Sequence, residues 1–281
     1  MAHILVQPFH GLLGYAEVIE TVRWGLTELG HETSVGVNEI RKDATNIVFG
    51  CQMLEERLVA ELPAGTIVYH FEQIAGHQNA SELKENMRTA AQRLRIWDYS
   101  IENLAAWNRI RTGLPVVHVP VGWSPTISRI AKRDEDIDVL FYGMPSANRL
   151  GVVAQLSGMW VRVVYACGLY GAPRDELIAR SKVVLNLNMY NQHRVFEIAR
   201  VSYLLANGKA VVSDIHPQSV VEKDVRDAVA LVPLNDVAVT CLRLVKDDDE
   251  RKRLGERGFE SMKKRDVRGI LRKALSETGI T

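Results

Sequence analysis

Residues Asn186–Asp214, NLNMYNQHRVFEIARVSYLLANGKAVVSD, carry the reading from which the rest of the chain is parsed. The stretch reads as a strand, a polar loop, a helix starting near Arg194, a turn at Asn207-Gly208 and a further strand. Phe196, Ile198, Val201, Leu204 and Leu205 recur at helical spacing and face a core. Asn207-Gly208 supplies the left-handed conformation that ends a helix. Packing explains the apolar positions but does not require His193, Arg194 and Glu197 to gather at the helix start. A helix N-terminus with a guanidinium beside it matches phosphate oxygens, and a glutamate one turn in accepts hydrogen bonds from vicinal hydroxyls. Glutamate in a first turn is also ordinary helix-dipole stabilisation, so the residues alone leave both readings open.

Outward from this segment, short β-branched runs alternate with longer amphipathic stretches, the pattern of parallel α/β sheets. Upstream in the same half, strands are expected at Asp138–Tyr142, Val161–Tyr165 and Val183–Leu187, and downstream at Ala210–Ser213 and Ala228–Val232. Helices fit at Arg149–Ser157, Arg174–Arg180 and Phe196–Ala206, followed by Val237–Leu244 and one charged helical segment, Asp247–Leu275. The first half offers strands at His3–Val6, Thr33–Val37, Asn46–Cys51, Thr66–Phe71, Arg95–Ser100 and Val116–Val121, with helices at Ala16–Leu29, Leu54–Glu61 and Ser81–Arg93. Open sheets as large as all these strands together tend to split, so two wound sheets in series are expected. The polar stretch 124–136 reads as a linker between an N-terminal domain, 1–123, and a C-terminal domain, 137–260. Residues 261–281 are expected as a C-terminal helix that packs back on the first domain. Ligands of such sheets collect beyond the carboxyl ends of the strands.

Composition narrows the function. The 281 residues are 47% hydrophobic and 25% charged with a formal net charge of +1, which is ordinary for a globular protein and argues against a polyanion-binding face. No window approaches the roughly 18 apolar residues of a membrane span. The opening MAHILVQPFHGLLGY lacks a basic n-region and its apolar run breaks at Pro8, unlike a secretory signal. Cys51, Cys167 and Cys241 form no C-x-x-C pair and read as buried thiols in a reducing cytoplasm. There is no G-x-S-x-G elbow, no P-loop and no H-E-x-x-H. The run Asp247-Asp-Asp-Glu250 precedes Arg251, Lys252 and Arg253 and reads as a helix cap with a solvated face, so no metal site is expected.

The stretch Arg194-Val-Phe-Glu197 followed by Leu205-Ala-Asn-Gly-Lys-Ala-Val-Val-Ser213 resembles the donor-binding motif of glycosyltransferases of the two-Rossmann-domain GT-B type, nearest to bacterial family-one/family-four-like and spore-maturation-type members. The resemblance implies two mostly parallel sheets facing across a cleft, with Glu197 on the nucleotide ribose and Arg194 on the diphosphate. It extends to Asp138-Val-Leu-Phe-Tyr-Gly143 and the turn Met144-Pro-Ser146-Ala-Asn-Arg149, where the family carries several basic residues that neutralise the diphosphate and this chain keeps one, Arg149, the phosphate contact that the resemblance implies. Gly168-Leu-Tyr170-Gly171 would border the base, while Asn188, Tyr190 and His193 would touch sugar or phosphate.

In the first half, Gly11-Leu-Leu-Gly14-Tyr15 follows a strand and precedes a helix, where glycine admits close approach of phosphate or sugar; a tight turn accounts for it equally. His70, Glu72 and Asp98 lie at strand ends and are the candidate proton acceptors, with His10 next. The implied activity is transfer from a nucleoside-diphosphate sugar to a hydroxyl acceptor, metal-independent and without a bound cofactor; the resemblance leans toward retention of configuration, while inversion stays open and would need His70, Glu72 or Asp98 as general base. The near-neutral charge argues against nucleic acid, though a modified nucleobase stays open as an acceptor. A non-catalytic nucleotide- or sugar-binding subunit and a nucleotide-sugar epimerase of the same fold are the competing readings.

Overall fold

The computed structural model describes residues 2–6, 13–110, 112–190 and 195–279. Its contacts divide into two compact units, Met1–Ser124 with Asp266–Thr281, and Pro125–Arg265.

Unit 1 holds β1 (Ala2–Val6), α1 (Ala16–Glu28), β2 (Thr33–Val37), β3 (Thr45–Phe49), α2 (Glu56–Glu61), β4 (Ile67–His70), α3 (Glu85–Arg93), β5 (Arg95–Asp98), α4 (Ile101–Ile110) and β6 (Val116–His118). The six strands are parallel in the order β2-β1-β3-β4-β5-β6. The order reverses at β1, which has β2 on one side and β3 on the other. Val48, Val68 and Ile96 of three adjacent strands pack with Met87, Ala90 and Leu94 into one core.

Unit 2 holds β7 (Ile137–Tyr142), α5 (Ala147–Ser157), β8 (Val163–Ala166), α6 (Gly171–Ala179), β9 (Ser181–Asn186), α7 (Ile198–Ala206), β10 (Ala210–Asp214), α8 (Lys223–Arg226), β11 (Ala230–Val232), α9 (Val237–Lys246) and α10 (Asp248–Lys263). Its parallel strands run β11-β10-β9-β7-β8, so the order reverses at β7, between β8 and β9. Every residue of β7 and of β10 is buried, as expected of strands covered on both faces.

Three sequence expectations shift. The charged segment expected as one helix over Asp247–Leu275 is two, α10 and α11 (Val267–Thr278). The break has a local cause: buried Arg265 forms ion pairs with Glu222 and Asp224, Asp266 caps α11 by accepting from the Arg268 amide at 2.9 Å, and the Val267 amide donates to the Trp123 carbonyl at 3.1 Å. α11 then packs within unit 1. A Cβ on Gly25 of α1 would fall 2.8 Å from both Leu271 and Val267, so only glycine permits this approach, and Trp97 donates to Thr278 Oγ1 at 2.8 Å. Second, α4 was not expected. Its inward face is Asn103, Ala106, Trp107 and Ile110, and Asn103 interrupts the apolar pattern because it serves a buried carboxylate described below, to which the Trp107 indole also donates. Third, Cys167 is exposed, in the loop after the edge strand β8, whereas Cys51 and Cys241 are buried and each is pushed up to about 12 by that burial.

The linker-like acidic residues are tied to unit 2: Asp136 pairs with Arg180, and Glu135 with Lys209 and Arg251. Among the described residues no helix is long and apolar enough to cross a membrane, and no three His, Cys, Asp or Glu side chains gather as a metal ion requires.

Candidate functional site

In unit 2 the loops after β7 and β9 meet where the strand order reverses, the place at which open α/β sheets bind ligands. Gly143 ends β7 with φ +146°, a conformation that favours glycine, and its amide donates to the Ala166 carbonyl at 2.9 Å. Its carbonyl accepts from the Tyr165 hydroxyl at 3.2 Å. Ser146 caps α5.

Arg149, expected as a phosphate contact, is buried and its guanidinium is occupied. Nε and Nη2 donate to the Leu187 carbonyl at 3.0 and 2.7 Å, and Nη1 donates to the Met144 carbonyl at 2.9 Å. The side chain therefore clasps the loop after β7 to the loop after β9. Burial, and the charge of nearby Arg200, hold its pKa below the ordinary arginine value. It contributes positive charge from beneath the loops, with its hydrogen-bonding fork already committed.

Arg200 was missed by sequence reasoning. The helix α7 begins at Ile198, not near Arg194, with Glu197 at its cap position, so Arg200 falls in the first turn. Its guanidinium lies 5.4 Å from the Tyr142 ring centroid, and a Cβ on Gly143 would sit 3.1 Å from its Nη2. Nη1 donates to Asn186 Oδ1 at 3.4 Å, while Nε and Nη2 have no hydrogen-bond partner among the described residues. The side chain thus presents an uncommitted guanidinium edge beside a glycine turn and a helix N-terminus. The signal in the sequence was its position three residues after Glu197, obscured by starting the helix a turn too early.

Asn186 and Asp214, at the ends of β9 and β10, complete the floor. Asn186 Nδ2 donates to Ser213 Oγ at 2.9 Å, and Asp214 accepts from the Asn188 amide at 2.8 Å and its side chain at 3.2 Å. Burial raises the Asp214 pKa against the opposing pull of those donors and of Arg149. Glu197 is half-buried and makes no capping bond with its side chain. Tyr170 precedes α6 at its cap, and Tyr190 is exposed in the loop after β9. His193 and Arg194 lie outside the described residues, as do His10 and Gly11.

In unit 1 the structure brings His70 and Asp98 together. β4 and β5 are neighbours with these two residues in register, and His70 Nδ1 lies 2.8 Å from Asp98 Oδ2. Asp98 is fully buried and also accepts from Trp107 Nε1 at 2.7 Å, the Ser100 amide at 2.8 Å and Asn103 Nδ2 at 3.1 Å. With both oxygens saturated, this carboxylate fixes the imidazole rather than facing a ligand itself. Glu72 is exposed and accepts from Gln52 Nε2 at 2.7 Å and from the Tyr15 hydroxyl at 3.5 Å. Gly14, beside Tyr15, has open space where a Cβ would stand.

No profile of a known protein family matches the chain. Two uncharacterized proteins of Acanthamoeba polyphaga mimivirus are similar to it, one 28% identical over 164 residues and the other 24% identical over 156. The matched region spans 56% and 53% of this chain but only 51% and 20% of those longer proteins. Solved structures resemble it over nearly its whole length at low identity. An α-glucosyltransferase in complex with UDP and a 13-mer DNA containing an HMU base superposes with TM-score 0.64 at 10% identity, covering 99% of both chains. Sucrose-phosphate synthase of Thermosynechococcus elongatus gives 0.63 at 10% identity over 99% of both. HepE of Anabaena, bound to UDP, gives 0.62 at 10% identity over 98% of this chain and 100% of its own. The fold is that of the GT-B glycosyltransferases.

Proposed function

We propose that the protein transfers a glycosyl unit from a nucleoside-diphosphate sugar to a hydroxyl-bearing acceptor, with unit 2 holding the donor. The observation that carries this reading is the uncommitted Nε–Nη2 edge of Arg200 beside the Gly143 turn and the N-terminus of α7. A helix N-terminus and a free guanidinium fork both match diphosphate oxygens. In this assignment Arg200 and Arg194 grip the diphosphate, Arg149 supports them from below, and Glu197 receives the ribose hydroxyls. Ser146, Asn188, Tyr190 and His193 border the phosphate and sugar, and Tyr170 the base. The solved glycosyltransferases with bound UDP support a uridine nucleotide as the first to try.

The chemistry follows from where charge develops. The bond from the anomeric carbon to the β-phosphate oxygen breaks, leaving the electron pair on the phosphate, and the acceptor oxygen bonds to that carbon. Preorganised positive groups stabilise the departing phosphate without a divalent cation, and that oxyanion takes the acceptor proton, consistent with retention. His70, oriented by Asp98, together with Glu72 and the Gly14-Tyr15 turn, is assigned to the acceptor. The test is incubation of the protein with a panel of nucleotide sugars, with and without hydroxyl compounds, following release of nucleoside diphosphate. Acceptor-dependent release is expected, with a product of retained anomeric configuration by NMR. Binding without turnover points to a non-catalytic subunit, and a changed sugar without acceptor to an epimerase.

A further inference from the structure

The strand order of unit 1 also reverses, between β1 and β3, and the side chains at that point differ in kind from those in unit 2. Tyr15 follows β1, Gln52 follows β3 and Glu72 follows β4, and the three are joined by hydrogen bonds to Glu72 Oε1. Ionised glutamate only accepts, so Gln52 must turn its amide N–H toward it and its Oε1 away. Glu72 Oε2 and Gln52 Oε1 have no hydrogen-bond partner among the described residues, which leaves two acceptor oxygens on one hydrogen-bonded cluster. The Tyr15 ring packs on Phe71 at 5.2 Å, and Phe71 stacks on Tyr99 at 5.0 Å and 12°, so the phenol is held in place before any ligand arrives.

We propose that Tyr15, Gln52 and Glu72 form the acceptor-recognition site and that it takes a neutral, polyhydroxylated acceptor, a saccharide bearing vicinal hydroxyls. This inference rests on the glycosyltransferase reading and names its second substrate. Vicinal hydroxyls can both donate to the Glu72 carboxylate, and a further hydroxyl to Gln52 Oε1, whereas a phosphate or carboxylate offers only more lone pairs and meets the Glu72 charge. The wider surroundings agree: acidic residues outnumber basic ones in unit 1, and basic ones outnumber acidic ones in unit 2. The nearby basic side chain of Lys84 reaches the Gln52 carbonyl at 3.5 Å. The same charge pattern disfavours a nucleic-acid acceptor, which would need cations on the acceptor side.

The test uses the full chain, with and without UDP, in saturation-transfer NMR against methyl glucosides, galactosides, mannosides and N-acetylglucosaminides, their 6-phosphates, and a duplex DNA carrying a hydroxymethylated base. At least one neutral glycoside is expected to bind, its 6-phosphate at least tenfold more weakly, and Glu72→Gln and Gln52→Ala each to weaken the neutral ligand by roughly tenfold. The UDP-induced thermal shift should be retained in both variants, which shows that they fold. Equal or tighter binding of the 6-phosphate or the DNA, an undiminished signal in both variants, or silence from every neutral glycoside overturns the proposal. Failure of the donor reading is seen separately, as no thermal shift with any nucleotide in the unaltered protein.

Discussion

The two units are built on the same plan, a parallel sheet whose order reverses beside the strand that opens it, yet their reversal points are chemically opposite. In unit 2 the loops are clasped by one buried arginine and present the edge of another, over Asn186 and Asp214. In unit 1 a buried aspartate gathers His70, Trp107, Asn103 and the Ser100 amide, and the surface above presents oxygens of Glu72 and Gln52. Topology chooses where a ligand goes, while the sign and donor character of a few side chains choose which ligand.

The largest expected effect breaks the scaffold of unit 1. Asp98→Ala leaves several buried donors without an acceptor and should lower stability by roughly 3–5 kcal/mol in urea unfolding. Loss of less than about 1 kcal/mol would mean that the network is not what holds this edge. Arg200→Ala addresses the other side of the contrast. It should cost about 3 kcal/mol of transition-state stabilisation, on the order of a hundredfold in kcat, with Arg200→Lys recovering only part because an ammonium lacks the planar fork. A variant with undiminished turnover would remove Arg200 from the site.

Smaller effects sharpen the contrast. Gly25→Leu drives a side chain into Leu271 and Val267, and is expected to destabilise unit 1 by about 1–3 kcal/mol while the thermal shift given by UDP persists. The pH dependence at the break before α11 is smaller still. Burial pushes the Asp224 pKa up, but Arg265 outweighs it and holds the carboxyl below its ordinary value. A depressed folded pKa contributes stability above the unfolded value, near 3.9, that is lost as pH falls through the folded value. Asp224→Asn should therefore show a shallower loss of stability between about pH 5 and pH 2 than the unaltered protein, measured by urea midpoints across that range.

Much of the two-sheet fold was legible in the sequence. Buried strands such as Val183–Leu187 and Ala210–Ser213 announce themselves because β-branched runs alternate with helices and Asn207-Gly208 marks a turn. Residues whose role depends on a partner far along the chain were not legible. Asp98 and His70 each lie at a strand end, but only the adjacency of β4 and β5 pairs them. The helix α4 hid because its buried face is short and carries Asn103, which serves that same aspartate. Arg149 was read as a ligand contact because a sequence shows a charge but not the backbone carbonyls that occupy it. Arg200 was overlooked because the helix starts four residues later than the apolar spacing suggested.

Binding of a nucleoside diphosphate at the reversal point of unit 2 is read directly by a thermal-shift titration. UDP, ADP, GDP and TDP are added to the unaltered protein and to Arg200→Ala and Glu197→Ala. One nucleotide should raise the melting temperature, by the equivalent of roughly 2.7 kcal/mol at about 100 times its dissociation constant, and the rise should shrink sharply in both variants. No shift with any nucleotide, or a full shift that survives both substitutions, would contradict it.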